Sequence, residues 1–371
     1  MRKFTIWGIA FSFMVLLSGC NNGGGGSSTA NPYPYQTSGS YNGIPYSELG
    51  DPPGLNNYPT AYFPTFVNNN SMVSSKIAYG RDNESNISNL TAFVRMGKNI
   101  CSATPIYYNQ LLNSTFLIGA AHCFISNKTD PNNIQSDNFL SNSVISVYNG
   151  LDKESGWYES FPATAIYVMR NYCYGATFNT LGGCPNFDSS DGVAGGQGND
   201  LAVIQIAGQY ANAESYPQIA PESQYPEQLT MAPVLSIGYG LNTQTPVNPD
   251  NDLPRGKMFY VANYFYAQTD TTGYHYLYNS FFNSTANGYA ALICGGDSGG
   301  GDLFWTGQKW LLLSEHTYGP NGACGTYYNT LPNGATNVGF YYNWIVNIIQ
   351  ADNPVAWCNQ IGSNCVTNAD E

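Results

Sequence analysis

The chain has 371 residues, enough for one large domain or two ordinary ones around a sizeable core. Charged residues make up only 10% of it while tyrosines number 30, so a surface of neutral Asn, Ser, Thr and Tyr is expected, as suits an extracytoplasmic protein. A net charge of −12 excludes a binder of phosphate backbones, which needs clustered Lys and Arg, so no nucleic-acid partner is expected.

Met1-Arg2-Lys3 followed by an apolar run through Leu17 has the basic start and the length of a signal peptide. The run ends at Leu17-Ser18-Gly19-Cys20, which resembles a bacterial lipobox. That resemblance implies a signal peptide over 1–19 and a Cys20 that is acylated and holds the processed chain to a membrane. Residues 20–61 are rich in Gly, Pro and Asn, a composition that buries no core, and they read as a flexible tether. Patterning begins near Tyr62, and the domain-like stretch runs from Ile77 to Gln350.

Strand-like runs open that domain at Leu90 to Val94 and at Cys101 to Ile106. Next, the apolar strand Thr115-Phe116-Leu117-Ile118 delivers His122 on a turn of small residues beside Cys123. The stretch from Phe124 to Asn199 is long and loops around Cys173 and Cys184; Asp188 and Asp191 in it read as a solvated loop rather than as calcium ligands. In Asn199-Asp200-Leu201-Ala202-Val203-Ile204, a carboxylate opens a buried apolar strand. There it can be enclosed against an imidazole, fix the tautomer and stabilise the imidazolium.

Residues 207–230 read as a linker, and strand-like runs follow at Ser236 to Gly240, Phe259 to Val261 and Tyr274 to Leu277. His275 has no partner at a useful spacing and is read as structural or surface. In Cys294-Gly295-Gly296-Asp297-Ser298-Gly299-Gly300-Gly301, the amides of Gly296 and Ser298 can converge on one point, as an oxyanion requires, and the glycines leave the hydroxyl unshielded. A strand from Trp310 to Leu313 follows, and apolar residues at helical spacing predict a helix over 343–350, before Pro354.

His122, Asp200 and Ser298, in that order, sit in segments that together resemble the trypsin and chymotrypsin-like serine protease family. Gly119-Ala120-Ala121-His122-Cys123 differs from the family's Thr-Ala-Ala-His-Cys at one position, and Gly238-Tyr239-Gly240 stands for Gly-Trp-Gly. The resemblance implies an all-β fold of two antiparallel six-stranded barrels, about 77–215 and 216–340, with a short helix over 341–350. It implies an endopeptidase in which Ser298 attacks the peptide carbonyl, His122 takes and returns the proton, Asp200 orients His122, and the amides of Gly296 and Ser298 bind the oxyanion. No cofactor is required, and the partners are a protein or peptide substrate and, through Cys20, a membrane; a monomer is expected.

Ser75-Lys76-Ile77-Ala78-Tyr79-Gly80 has the basic residue and the Ile at which zymogens of this family are cut, although Ala78 and Tyr79 depart from the pattern. The resemblance implies cleavage after Lys76, which makes residues 62–76 the end of a propeptide, and pairing of the freed Ile77 amino group with Asp297. Leu292 stands where a carboxylate would select Lys or Arg, so trypsin-like specificity is not expected and a separate protease would make the cut. Ile293 adds to an apolar pocket. Thr317-Tyr318-Gly319 takes the place of the family's Ser-Trp-Gly, with His316 just before it, where glutamate-specific relatives carry a histidine; a rival alignment uses Ser314-Glu315-His316. Both a glutamate preference and an apolar or aromatic one stay open.

Of nine cysteines, setting Cys20 aside leaves an even number for an oxidising compartment. Neighbours would pair as Cys101 with Cys123, Cys173 with Cys184, Cys294 with Cys324 and Cys358 with Cys365, the last stapling a tail over 351–371. Sequence leaves the connectivity open, and only two of the pairs rest on more than proximity. With three histidines and no CxxC spacing, a metal site is not expected.

Overall fold

The computed structural model of the protein describes residues 39–50, 52, 81–82, 85–97, 99–125, 136–140, 145–149, 159–172, 199–227 except 212, 229, 232–240, 259–265, 268–269, 275–278, 295–318 and 333–369. Among these the chain is mostly β. Six strands of the first half are β4 (Ala92–Met96), β5 (Asn99–Asn109), β6 (Ser114–Gly119), β7 (Ile145–Asn149), β8 (Glu159–Met169) and β9 (Ala202–Ala207). They pair antiparallel in the circular order β4-β5-β6-β9-β8-β7 and close a six-stranded barrel.

Two long strands turn the barrel's corners. β5 pairs with β4 through residues 99–103 and with β6 through 104–109, and its register shifts between Pro105 and Tyr107. A bulge there accommodates a proline that has no N–H to give the ladder. β8 pairs with β7 through 159–162 and with β9 through 163–168, with a similar shift after Ala163. Leu117, Ile166, Val168, Ala202 and Ile204 pack inside the barrel, while Phe116, Ile118, Tyr167 and Val203 pack outward into a second core. Burial on both faces explains why β6 and β9 read as apolar runs without polar alternation. Each such side chain contributes roughly 1.5–3 kcal/mol.

The strand expected from Leu90 begins instead at Ala92, because Ser85–Leu90 forms a 3-10 turn that buries Ile87 and Leu90.

The second sheet comprises β3 (Arg81–Asp82), β10 (Ala232–Gly238), β11 (Phe259–Phe265), β12 (Gln268–Thr269), β13 (His275–Tyr278), β14 (Gly301–Trp305), β15 (Trp310–Tyr318) and β16 (Asn333–Asn337). Its order is β12-β13-β16-β15-β14-β10-β11-β3, antiparallel throughout. Closure of this sheet into a second barrel lies outside the described residues. Leu303, Trp305, Trp310 and Leu312 join the core that also takes Phe116 and Ile118 from the first barrel. Phe304, Leu311 and Leu313 face the other way.

Against that other face packs a hairpin of β1 (Ser40–Tyr41) and β2 (Ile44–Pro45) with the turn that follows it. Tyr46 is buried with its ring 5.5 Å from that of Phe304, and Leu49 is buried beside it. These residues fall within the stretch expected as a tether, and here Tyr46 and Leu49 are folded onto the sheet with Tyr41 packed against them.

Helix α1 (Tyr342–Ile349) buries Trp344, Ile345, Ile348 and Ile349, the spacing that predicted it. Asn353 then caps α2 (Pro354–Cys358) by accepting from the Ala356 amide, and Pro354 fits the first turn because no N–H is needed there. The tail continues to β17 (Cys365–Thr367), which pairs with β8 at residues 167–169. Cys358 and Cys365 are disulfide-bonded, so the tail is a stapled extension of the first barrel's wall. The lipobox around Cys20 and the segment 62–76 lie outside the described residues.

Candidate active site

Pairing of Gly119 with Ala202 sets the end of β6 beside the start of β9. The turn after β6, Ala121–Cys123, carries His122, and Asp200 precedes β9, so two residues distant in sequence meet at one corner of the barrel. His122 Nδ1 lies 2.7 Å from Asp200 Oδ2, and the His122 backbone N–H donates to Asp200 Oδ1 at 2.8 Å. Because both carboxylate oxygens are used as acceptors, the hydrogen on the ring sits at Nδ1 and Nε2 presents a lone pair. Asp200 is fully buried, while the His122 side chain keeps 18% of its surface exposed.

Two further features hold this corner. The disulfide Cys101–Cys123 ties the turn of His122 to β5. Asn199 adopts φ +59°, which asparagine tolerates, and its side chain donates to Asn171 O and accepts from the Tyr341 hydroxyl.

Ser298 sits half-buried on the loop before β14. This loop is fastened to the first barrel by Ser102, a residue that the sequence did not single out. The Ser102 N–H donates to Ser298 O at 2.8 Å, its Oγ donates to Gly296 O at 2.9 Å, and the same Oγ accepts from the Tyr239 N–H at 2.9 Å. Gly299, at φ +84°, lies so near the turn before His122 that a side chain would meet Gly119 Cα and Ala120 N at 2.9 Å. Gly296 takes φ +101°, a region that resists any side chain.

The carboxylate of Asp297, between these glycines, is fully buried. It accepts from the Gly240 N–H at 2.7 Å and packs on Gly238 and Gly240, where any side chain would collide with it. Lys76 and Ile77, expected to serve Asp297 in activation, lie outside the described residues.

β15 runs beside the loop. The Gly299 N–H donates to His316 O and the His316 N–H donates to Gly300 O, each at 2.8 Å. His316 is fully buried: Nε2 lies 3.0 Å from Asp302 Oδ1, and Nδ1 lies 3.3 Å from the Asp297 carbonyl. Asp302 also accepts from Ser236 Oγ and, at 2.7 Å, from Ser314 Oγ. Burial lowers the His316 pKa, but the Asp302 carboxylate outweighs it by charge and hydrogen bond and holds the imidazole above its ordinary 6.5. Thr317 Oγ1 lies 2.7 Å from Thr336 Oγ1, which donates to the Asp200 carbonyl at 2.9 Å. Nothing in the sequence marked Asp302, Thr336 or the buried Glu315 as parts of this site, since only the pairing of β14, β15 and β16 brings them together.

Leu292, Ile293, Cys294, Gly319 and Cys324 lie outside the described residues, as do Cys173, Cys184 and the side chain of Tyr318. The donor atoms of Cys101, His122 and Cys123 lie within 4.8 Å of one another, but the two sulfurs are bonded to each other and offer no thiolate to a metal.

No protein-family model matches the chain, and no curated protein is similar to it. Among solved structures, a mutant of human heparin binding protein (CAP37) is similar at 15% identity with a TM-score of 0.47, over 75% of this chain and 98% of that one.

Proposed function

We propose that the protein is a serine endopeptidase working through His122, Asp200 and Ser298. The observation that carries this reading is the double hold of Asp200 on His122, at 2.7 Å on Nδ1 and 2.8 Å on the backbone, beside a loop in which Ser298 is pinned by Ser102. In the reaction, Nε2 of His122 takes the Ser298 hydroxyl proton as Oγ attacks the peptide carbonyl. The amides of Gly296 and Ser298 receive the oxyanion, and the proton passes from Nε2 to the leaving amine. Water then repeats the sequence on the acyl-enzyme.

The fold proposed for this activity has two barrels. β11 ends at Phe265 and β12 begins at Gln268, and these strands lie near opposite ends of the second sheet's order, so a strand running through both would close it. Preference for an apolar or aromatic side chain before the scissile bond is favoured over glutamate. His316, the group that would read a carboxylate, is fully buried with its ring nitrogens on Asp302 and the Asp297 carbonyl. Export, acylation at Cys20 and activation after Lys76 complete the reading, and Ile77 would then begin the active form.

Labelling with a fluorophosphonate tests the chemistry. A single adduct at Ser298 that is lost in Ser298→Ala is expected, before or after cleavage at Lys76. Absence of an adduct in both forms would instead make the protein a non-catalytic surface binding lipoprotein. Equal turnover of peptides that differ only in Glu or Phe before the scissile bond would remove the specificity.

A further inference from the structure

Glu315 is a buried acid for which the mechanism above has no use. It lies on β15 directly across from Thr336 on β16, is wholly enclosed, and its Oε2 has no hydrogen-bond partner among the described residues. Its Oε1 lies 3.2 Å from Thr317 Oγ1. Thr317 and Thr336 therefore link the acid to the backbone of Asp200.

Counting hydrogens fixes the direction of that link. Each threonine hydroxyl has one hydrogen. Thr336 gives its own to the Asp200 carbonyl at 2.9 Å. The 2.7 Å contact between the two hydroxyls must then hold the hydrogen of Thr317. Nothing remains on Thr317 for the 3.2 Å contact, so its hydrogen comes from Glu315. An ionised Glu315 would instead claim the Thr317 hydrogen and leave two hydroxyl oxygens 2.7 Å apart with none between them.

Resting on the proposed triad, we infer that Glu315 is a positioning residue: as a neutral carboxylic acid it donates the first hydrogen bond of a chain, through Thr317 and Thr336, that ends on the carbonyl of Asp200. The groups facing it agree. Thr317 flanks it on β15 and Thr336 faces it from β16, with Asp200 before β9 and Asp302 on β14 as the nearby charges and His316 and His122 paired to those two. Burial first, and the Asp200 charge second, push the Glu315 carboxyl well above its ordinary 4.5. An uncharged donor anchors the Asp200 backbone without setting a second anion beside the carboxylate that serves His122.

The test compares the full-length protein with Glu315→Gln, which keeps a donor of similar size, and Glu315→Leu, which has none. Infrared difference spectra at neutral pH should show a carboxylic-acid carbonyl band in the wild type that is missing from Glu315→Gln. Glu315→Leu should lower kcat about tenfold with KM little changed, the rate equivalent of one hydrogen bond, and Glu315→Gln should restore most of that loss. Absence of the acid band, or a folded Glu315→Leu enzyme with wild-type kcat, overturns the inference. If Glu315→Leu does not fold, the infrared band and the kcat of Glu315→Gln decide. Failure of the triad reading would show separately, as a wild type that takes no fluorophosphonate, and the infrared result would still settle the protonation of Glu315.

Discussion

Ser102 donates its backbone N–H to the carbonyl of Ser298, so the proposed nucleophile is hydrogen-bonded to β5, the strand that the Cys101–Cys123 disulfide ties to the turn of His122. One residue of the first barrel thus fastens a loop on the second sheet to the barrel that carries the imidazole. The side chain of Ser102 strengthens the hold by joining Gly296 O to the Tyr239 N–H.

Replacing Ser102 by alanine removes the hydroxyl that serves that carbonyl and that amide. The variant is expected to lose about 1–3 kcal/mol of stability and to show a kcat about tenfold lower, with KM less affected, in denaturant melts and steady-state assays. Full activity in Ser102→Ala would show that the backbone contact alone suffices.

Asp200→Asn keeps the shape of the acid but offers the His122 ring a donor where it needs an acceptor. A fall in kcat of about 10⁴ is expected, with folding intact by circular dichroism. His122→Ala combined with Ser298→Ala should be no worse than either alone, because the two act as one unit.

The His316–Asp302 pair makes stability depend on pH. Since the folded imidazole titrates above its ordinary 6.5, the stabilisation is fully present below that value and is lost as pH rises through the folded value. Glu315 works in the same direction, from 4.5 upward, because its folded carboxyl holds a proton that the unfolded chain releases. Melting temperatures measured upward from about pH 5 should therefore fall with rising pH. Asp302→Asn should cost about 3–5 kcal/mol in mild acid and flatten the part of the slope that belongs to His316; an unchanged slope would contradict the pairing.

Removing the Cys101–Cys123 bond by replacing both cysteines with serine opens a loop that spans 22 residues. A loss of about 3 kcal/mol is expected, with a lower kcat as the turn of His122 loosens. Treatment of the native protein with reductant should reproduce both effects.

The parts of the site that sequence made legible are those whose chemistry is written in adjacent residues. A histidine between small residues and a cysteine, an aspartate at the head of an apolar strand, and a serine among glycines each carry their reason locally. Helix α1 was legible for the same reason, in the spacing of Trp344, Ile345, Ile348 and Ile349. Ser102, Asp302, Glu315 and Thr336 were not, because a polar residue inside a strand reads as solvent-facing until the partner strand is known. Glu315 shows this most sharply: in sequence it enters only through the rival alignment Ser314-Glu315-His316, yet it is enclosed between β15, β16 and the residues before β9. Tyr46 and Leu49 failed in the opposite sense, as two burial signals diluted by a glycine-rich neighbourhood.

The pairing of β17 with β8 sets a timetable for making the protein. Residues 167–169 are synthesised about 200 residues ahead of their hydrogen-bonding mates at 365–367. Until then the growing polypeptide carries an open strand edge that invites a wrong neighbour. A product that stopped short of residue 365 would keep every residue of the proposed chemistry and still lack the piece that finishes its wall.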